Sequence, residues 1–328
     1  MSLDADTIVD RRRMRRKLTF WRVFAVLLAI CAVVAVGAVL RAPGTAVLTG
    51  VPGASIARVT ITGLIRTDRE RVDAIERLGR SAAKAVIVHI NSPGGTTSGS
   101  EELHDSLRRL KEQKPTVVVV DGLAASGGYI AALAADHIVA QETALVGSIG
   151  VLFQYPNFGE ALKSLGIKVE EIKSSPLKAA PNGFEPTSPE ARAAIEAIVM
   201  DSYDWFRGLV KDRRQLDDTT LARVADGRVF TGRQGLALKL IDELGDEKTA
   251  IAWLAKEKNV DPKTPVRDYR LRDRLSDLPF LRTAAVVVLD ALGLGAWARH
   301  IEDWGAVQAI ERLNLDGLLA LWHPSAEN

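Results

Sequence analysis

The sequence predicts an α/β fold around a largely parallel sheet. Short runs rich in Val and Ile alternate with segments whose apolar residues recur at helical spacing, the pattern of strands joined by crossover helices. Aromatic residues make up only 5% of the chain while Gly and Ala are plentiful, which suits helices packed closely on a sheet. Two predicted strands run straight into glycine-rich junctions, Asn91–Gly95 and Gly122–Tyr129. At 328 residues and 47% apolar, the chain can fill one large or two modest domains. The net charge of +2 offers nothing to nucleic acid, and the single cysteine, Cys31, excludes an intramolecular disulfide and a cysteine-based zinc site.

The elements follow in order. Residues 1–19 form a polar tail that ends in the basic run Arg11–Lys17. The apolar run Val23–Leu40 has 18 residues, about 27 Å of helix, close to the thickness of a bilayer's hydrocarbon core. It is longer than the core of a signal peptide and lacks a clear cleavage site, so residues 20–41 are expected to be an uncleaved transmembrane anchor. The basic tail then stays in the cytoplasm and everything after residue 41 lies on the far side of the membrane. Residues 42–54 read as a Gly/Pro linker. Ile56–Thr62 alternates with period two and predicts a strand; Asp68–Leu78 predicts a helix. Ala85–Ile90 is a buried strand, Ser98–Gln113 a helix striped by Leu103, Leu107 and Leu110, and Val117–Val120 another strand, with a helix from Gly128 to Ala135. Short strands are expected near Ile138–Ala140 and Val169–Ile172. Ser188-Pro189 opens a long helix to about Arg214, with Ser at the N-cap and Pro at the first position. Helices over Leu221–Asp226, Gly232–Ile241 and Glu247–Lys256 follow. The remaining extension, 259–328, is amphipathic, with Trp297, Trp304 and Trp322, and suits core or interface packing.

One hydroxyl stands at the strand-to-helix junction among residues almost without side chains. Ser126 is expected to be reachable from outside, beside the free N–H groups and positive dipole of a helix start, and so reads as a nucleophile. In Asn91-Ser-Pro-Gly-Gly95 the proline fixes a turn and the two glycines allow close approach to their N–H groups, which suits an oxyanion hole; in isolation the same residues are an ordinary tight turn. Two such loops after neighbouring parallel strands lie on one edge of the sheet.

Asn91–Gly95 followed by Ala124-Ala-Ser-Gly-Gly128 resembles the Clp protease/crotonase superfamily. Two further stretches, Lys173–Lys178 and Ala225–Gly232 with Ile241–Gly245, make the resemblance closest to the signal peptide peptidase A family of membrane-anchored serine peptidases, peptidase family S49. The resemblance implies a repeated β-β-α core with a helical C-terminal region, preceded by one transmembrane helix, with the peptidase domain over 55–258. It gives the oxyanion hole to Gly94 and Gly95, the general base to Lys178 and the orientation of that lysine to Ser148. It implies no metal or organic cofactor, peptide substrates such as cleaved signal peptides, and a location in a bacterial cytoplasmic membrane with the catalytic domain outside. Family members of about twice this length carry two similar halves, so this chain is expected to form homo-oligomers, with Ser126 of one subunit meeting Lys178 of another.

A serine needs a base. The histidines are His89, His104, His137, His300 and His323. A Clp-type enzyme needs one about 25 residues past the serine, where this chain reads Ile149–Phe153. His89 and His137 read as structural, and Asp121 as a strand end or turn cap. A lysine base must be neutral, which costs about 4 kcal/mol relative to water and needs burial without a carboxylate partner. Lys178 has apolar neighbours, whereas Lys173 follows Glu170 and Glu171 and looks solvated. Asp226 and Arg228 sit in a family signature without an evident chemical role. Two other classes remain open: a crotonase-like acyl-CoA enzyme, which would not use Ser126, and a catalytically silent membrane scaffold of the same fold.

Overall fold

The computed structural model describes Trp21, residues 54–271 and the backbone of residues 318–321. The chain divides into two compact units, Met1–Gly50 and Val51–Asn328. The expected anchor over 20–41 lies, Trp21 apart, outside the described residues. No helix among the described residues is long and apolar enough to cross a membrane.

The second unit opens with β1 (Ile56–Ile65), α1 (Arg69–Gly79), β2 (Ala85–Thr96), α2 (Thr97–Gln113), β3 (Thr116–Ala125) and α3 (Gly127–Ala132). Then come β4 (His137–Ala140), β5 (Leu145–Gly147), β6 (Leu152–Phe153), α4 (Gly159–Ser164), α5 (Pro189–Arg214) and α6 (Asp218–Val224). β7 (Val229–Thr231), α7 (Gly232–Ala237), β8 (Glu243–Leu244), α8 (Glu247–Lys258), β9 (Val266–Asp268) and β10 (Leu318–Leu321) complete the order. Through α3 each strand is followed by one helix, so the repeated β-β-α unit is not the order seen there. Val169–Ile172, expected as a strand, is irregular and exposed, and among the described residues no strand pairs with it to take its backbone hydrogen bonds.

The helices begin where their caps put them. Asp68 accepts the Arg71 N–H at α1, Thr96 the Gly99 N–H at α2, and Ser188 the Ala191 N–H ahead of Pro189 at α5. Neighbouring strands β9, β1, β2, β3, β4 and β8 all run parallel. A parallel sheet needs both faces covered, and alternate residues divide accordingly. Val86, Val88, Ile90, Val118 and Val120 join the larger core, which includes Ile75, Leu103, Leu107 and Ile130 of α1, α2 and α3. Ile87, Val117, Val119 and Val139 face Ala250 and Leu254 of α8. Each fully buried Val, Leu or Ile is worth about 1.5–3 kcal/mol.

The strands change partners at their C-terminal ends. β3 leaves β4 and pairs with β5, Ala125 opposite Gly147, and β5 pairs antiparallel with β7. The Asn91–Gly95 stretch is not a separate turn but the end of β2, with register shifts on both sides. At Gly94 and Gly95 it pairs with Leu64 and Ile65 of β1 and, antiparallel, with Leu321 and Ala320 of β10.

Candidate active site

Ser126 stands between β3 and α3 with φ 52° and ψ −116°, a conformation that side-chain-bearing residues rarely adopt. Its carbonyl accepts from the Tyr129 and Ile130 N–H groups, and its own N–H donates to Gly147 O at 2.8 Å. Its Oγ lies 3.5 Å from Gly150 O. The small neighbours are required: a Cβ on Gly128 would come within 2.6 Å of Ser92 O. The serine is not exposed as the sequence suggested, since only 1% of its surface is accessible. The sheet edges converge around it more tightly than local sequence can show.

Ser148 is brought to the same place. It also has positive φ, 51°, it is buried, and its N–H donates to Arg228 O at 2.8 Å. This gives the 225–232 signature a physical role, since β7 holds β5 and the Arg228 carbonyl pins the turn that carries Ser148. Ser148, Ile149, Gly150, Val151 and Leu152 form one wall of a cleft of about 420 Å³, faced by Val199, Met200 and Tyr203 of α5 and by Ala225–Gly227.

The two glycines differ in what they offer. Gly94 has φ 104°, and its N–H donates to Ser92 Oγ at 3.1 Å. Gly95 admits no side chain, since a Cβ would fall 1.7 Å from Ile65 O. Ser92, fully buried, also donates to Gly63 O at 2.7 Å, so it ties β1 to the end of β2. Sequence reasoning missed this role, because a serine before proline in a glycine turn carries no signal of a partner on another strand. It also did not single out Gly127, the first residue of α3, whose N–H lies next to Ser126 without an intrahelical acceptor.

Lys178 is exposed in the irregular segment between α4 and α5, and its N–H donates to Ser175 O at 3.1 Å. No hydrogen bond among the described residues joins its amine to Ser126 or Ser148. Lys173 is not simply solvated. Its amine lies 2.5 Å from Glu171 and 2.7 Å from Glu185, which raise its pKa in that order.

Asp121 lies within β3 rather than capping a turn, and it meets His89 Nδ1 at 2.8 Å. The other ring nitrogen of His89 lies 2.9 Å from Glu247, which is also paired with Arg58 at 2.6 Å. Arg58, with Glu247 first among the causes, is held above its ordinary pKa, and the same hydrogen bond holds the Glu247 carboxyl below its own. His137 stacks on Trp253 with ring centroids 4.7 Å apart. His104 is buried, its Nε2 has no hydrogen-bond partner among the described residues, and burial lowers its pKa. Among the described residues, none of these rings hydrogen-bonds Ser126. No cluster of His, Cys, Asp and Glu suited to a metal occurs among the described residues.

The described residues form a mixed α/β fold in which Ser126 stands strained at a strand–helix junction beside glycine-lined sheet edges. Peptidase family S49 matches residues 108–261. A candidate protease of Synechocystis is 34% identical over 209 residues, covering 63% of this chain and 76% of that protein. Protease 4 of Haemophilus influenzae is 31% identical over 225 residues, 65% of this chain but 36% of its own length. The chloroplastic serine protease SPPA of Arabidopsis thaliana is 31% identical over 229 residues, 70% of this chain and 32% of its own. The chain thus spans about a third of these two longer proteins. A ClpP1 variant of Listeria monocytogenes aligns with a TM-score of 0.40 at 15% identity over 58% of this chain and 91% of its own, too slight a likeness to carry an argument. The chain belongs to peptidase family S49 and is a peptidase of the serine type.

Proposed function

We propose that this peptidase works as a membrane-anchored Ser-Lys endopeptidase on extended apolar peptides, cleaved signal peptides among them. Ser126 Oγ attacks the peptide carbonyl and its proton passes to Lys178 Nζ, which Ser148 orients. Gly95 and Gly127 N–H groups hold the oxyanion, while Gly94 shapes the turn. Lys178 then protonates the leaving amine, and water hydrolyses the acyl-enzyme with the lysine again as base. The anchor over 20–41 would keep this site close to membrane-embedded substrates.

The observation that carries the reading is Ser126 itself, held in a strained conformation beside Ser148 and, among the described residues, left without a histidine. The exposed position of Lys178 favours a base delivered by a second copy of the chain. The surrounding segment supports this, because its apolar side chains are unusually bare: Leu165 is 72% exposed and Ile172 fully so. Labelling by a serine-reactive fluorophosphonate tests the dyad. Wild type should label, while Ser126→Ala and Lys178→Ala should not; equal labelling of all three would reject it. Co-assembly of Ser126→Ala with Lys178→Ala subunits tests the shared site, and mixed oligomers that recover no activity would sink it.

A further inference from the structure

We infer that Tyr129 is a positioning residue for Ser126, and that the Arg214–Asp242 pair braces the carbonyl on which its hydroxyl is anchored. The Ile241–Gly245 stretch of the sequence signature thereby gains a part in the reaction. The role depends on Ser126 being the nucleophile.

A backbone held at positive φ away from glycine persists only where its surroundings over-determine it. Ser126 has such a backbone, and the helix it leads into, α3, has six residues, too few to hold themselves. Tyr129 supplies a hold at two points. Its N–H donates to Ser126 O at 2.9 Å, and its hydroxyl donates to Leu240 O at 2.7 Å, 111 positions along the chain. The ring is fully buried, so the hydroxyl has no water as an alternative partner. Burial also raises its pKa, which keeps the proton on the oxygen for donation. A phenylalanine would fill the same apolar space. The oxygen is what ties the turn of the nucleophile to the chain beyond α7.

The acceptor is held as firmly as the donor. Leu240 is fully buried, and its N–H donates to Gly235 O at 2.7 Å. One residue back, Lys239 has φ 61°, so the chain turns sharply out of α7, and its carbonyl accepts from Arg214 Nε at 2.6 Å. Two residues past Leu240, Asp242 meets Arg214 at 2.8 Å and accepts the Ile138 N–H of β4 at 2.8 Å. The Arg214 guanidinium thus grips the chain on both sides of Leu240. Its neighbour Arg213 donates to Leu133 O at 2.8 Å and to Ala135 O at 2.9 Å, just past the C-terminal end of α3. The last turn of α5 therefore holds the far end of the nucleophile's helix and also the anchor of its near end. A small rotation of α3 would swing Ser126 Oγ and the Gly127 N–H together, and misplacement by about 1 Å can cost about a hundredfold in rate.

The test compares full-length variants by peptidase kinetics, fluorophosphonate labelling of Ser126 and thermal melting. Tyr129→Phe keeps the ring and loses the donor. It should label at least about tenfold more slowly and lose at least about tenfold in kcat, with KM within about twofold of wild type. Arg214→Gln should slow labelling at least about threefold. Added to Tyr129→Phe it should slow labelling by less than about twofold more, because both act through one hydrogen bond. Leu254→Ala, in the core that α8 covers on the other face of the sheet, is the stability control. It should melt at least as low as Tyr129→Phe yet keep kcat within about twofold of wild type. Wild-type labelling and kcat in folded Tyr129→Phe would overturn the inference. So would a loss confined to KM, an equal loss of kcat in Leu254→Ala, or full additivity of the two variants. If Tyr129→Phe does not fold, Arg214→Gln decides: slowed labelling with KM retained supports the role, and labelling at the wild-type rate overturns it. Absence of labelling in every protein, wild type included, rejects the nucleophile, whereas brisk labelling equal in all rejects the positioning role alone.

Discussion

At Ser126 the backbone is held at φ 52° and ψ −116°, which costs a residue with a side chain about 1–3 kcal/mol. Glycine relieves that cost. Ser126→Gly should therefore be inactive yet melt higher than Ser126→Ala, by the equivalent of about 1 kcal/mol in thermal unfolding. Ser92 gives a second residue-scale expectation. Its hydroxyl satisfies both the Gly63 carbonyl and the Gly94 N–H. Ser92→Ala leaves both groups short of a partner at a buried site, and should cost about 1–3 kcal/mol in denaturant unfolding and lower kcat more than it raises KM. Gly95→Ala should fail to fold normally, because the backbone carbonyl of Ile65 occupies the place of the new methyl. Its residue type was legible in the sequence as a glycine needed for close approach. The neighbour that demands it was not, since Ile65 lies 30 positions earlier.

Between elements, the Arg58–Glu247–His89–Asp121 row locks α8 onto β1, β2 and β3. Glu247 has a depressed carboxyl pKa, chiefly from its hydrogen bond to Arg58. Its contribution to stability is therefore present above its unfolded value of about 4.3 and is lost as pH falls through the lower folded value. Glu247→Gln should lower stability at pH 7 by about 1–2 kcal/mol and by less near pH 3, measured by urea unfolding at both pH values. Lys173 shows why element-scale pairings escape sequence reading. Its acidic neighbours in sequence suggested hydration, but Glu185, 12 positions on, closes an ion pair around it. The long strands tell the same story: periodicity ended β2 at Ile90 and β3 at Val120, while pairing partners extend them to Thr96 and Ala125.

For the whole molecule, the bare apolar residues of the segment between α4 and α5 predict self-association. Ile172→Asp with Leu165→Asp should shift the protein to smaller species in sedimentation velocity and reduce peptidase activity at least tenfold, while the melting temperature stays within a few degrees. Loss of activity without a change in mass would place the effect within one subunit. The same segment carries Lys178, so the loss of assembly and the loss of the proposed base should coincide.

The alternating α/β pattern, the Ser188 cap that starts α5, and the serine and glycine loops were legible in the chain, because these depend on neighbours a few positions apart. Family resemblance added Lys178 and Ser148. Folding was needed to bury and strain Ser126, to tie the glycine turn to β1 through Ser92, to pin Ser148 with the 225–232 signature, and to lay β10 along the end of β2. Each of these joins residues far apart in sequence. Register and edge pairing are properties of the closed sheet, and no local periodicity encodes which strand will occupy a vacated edge.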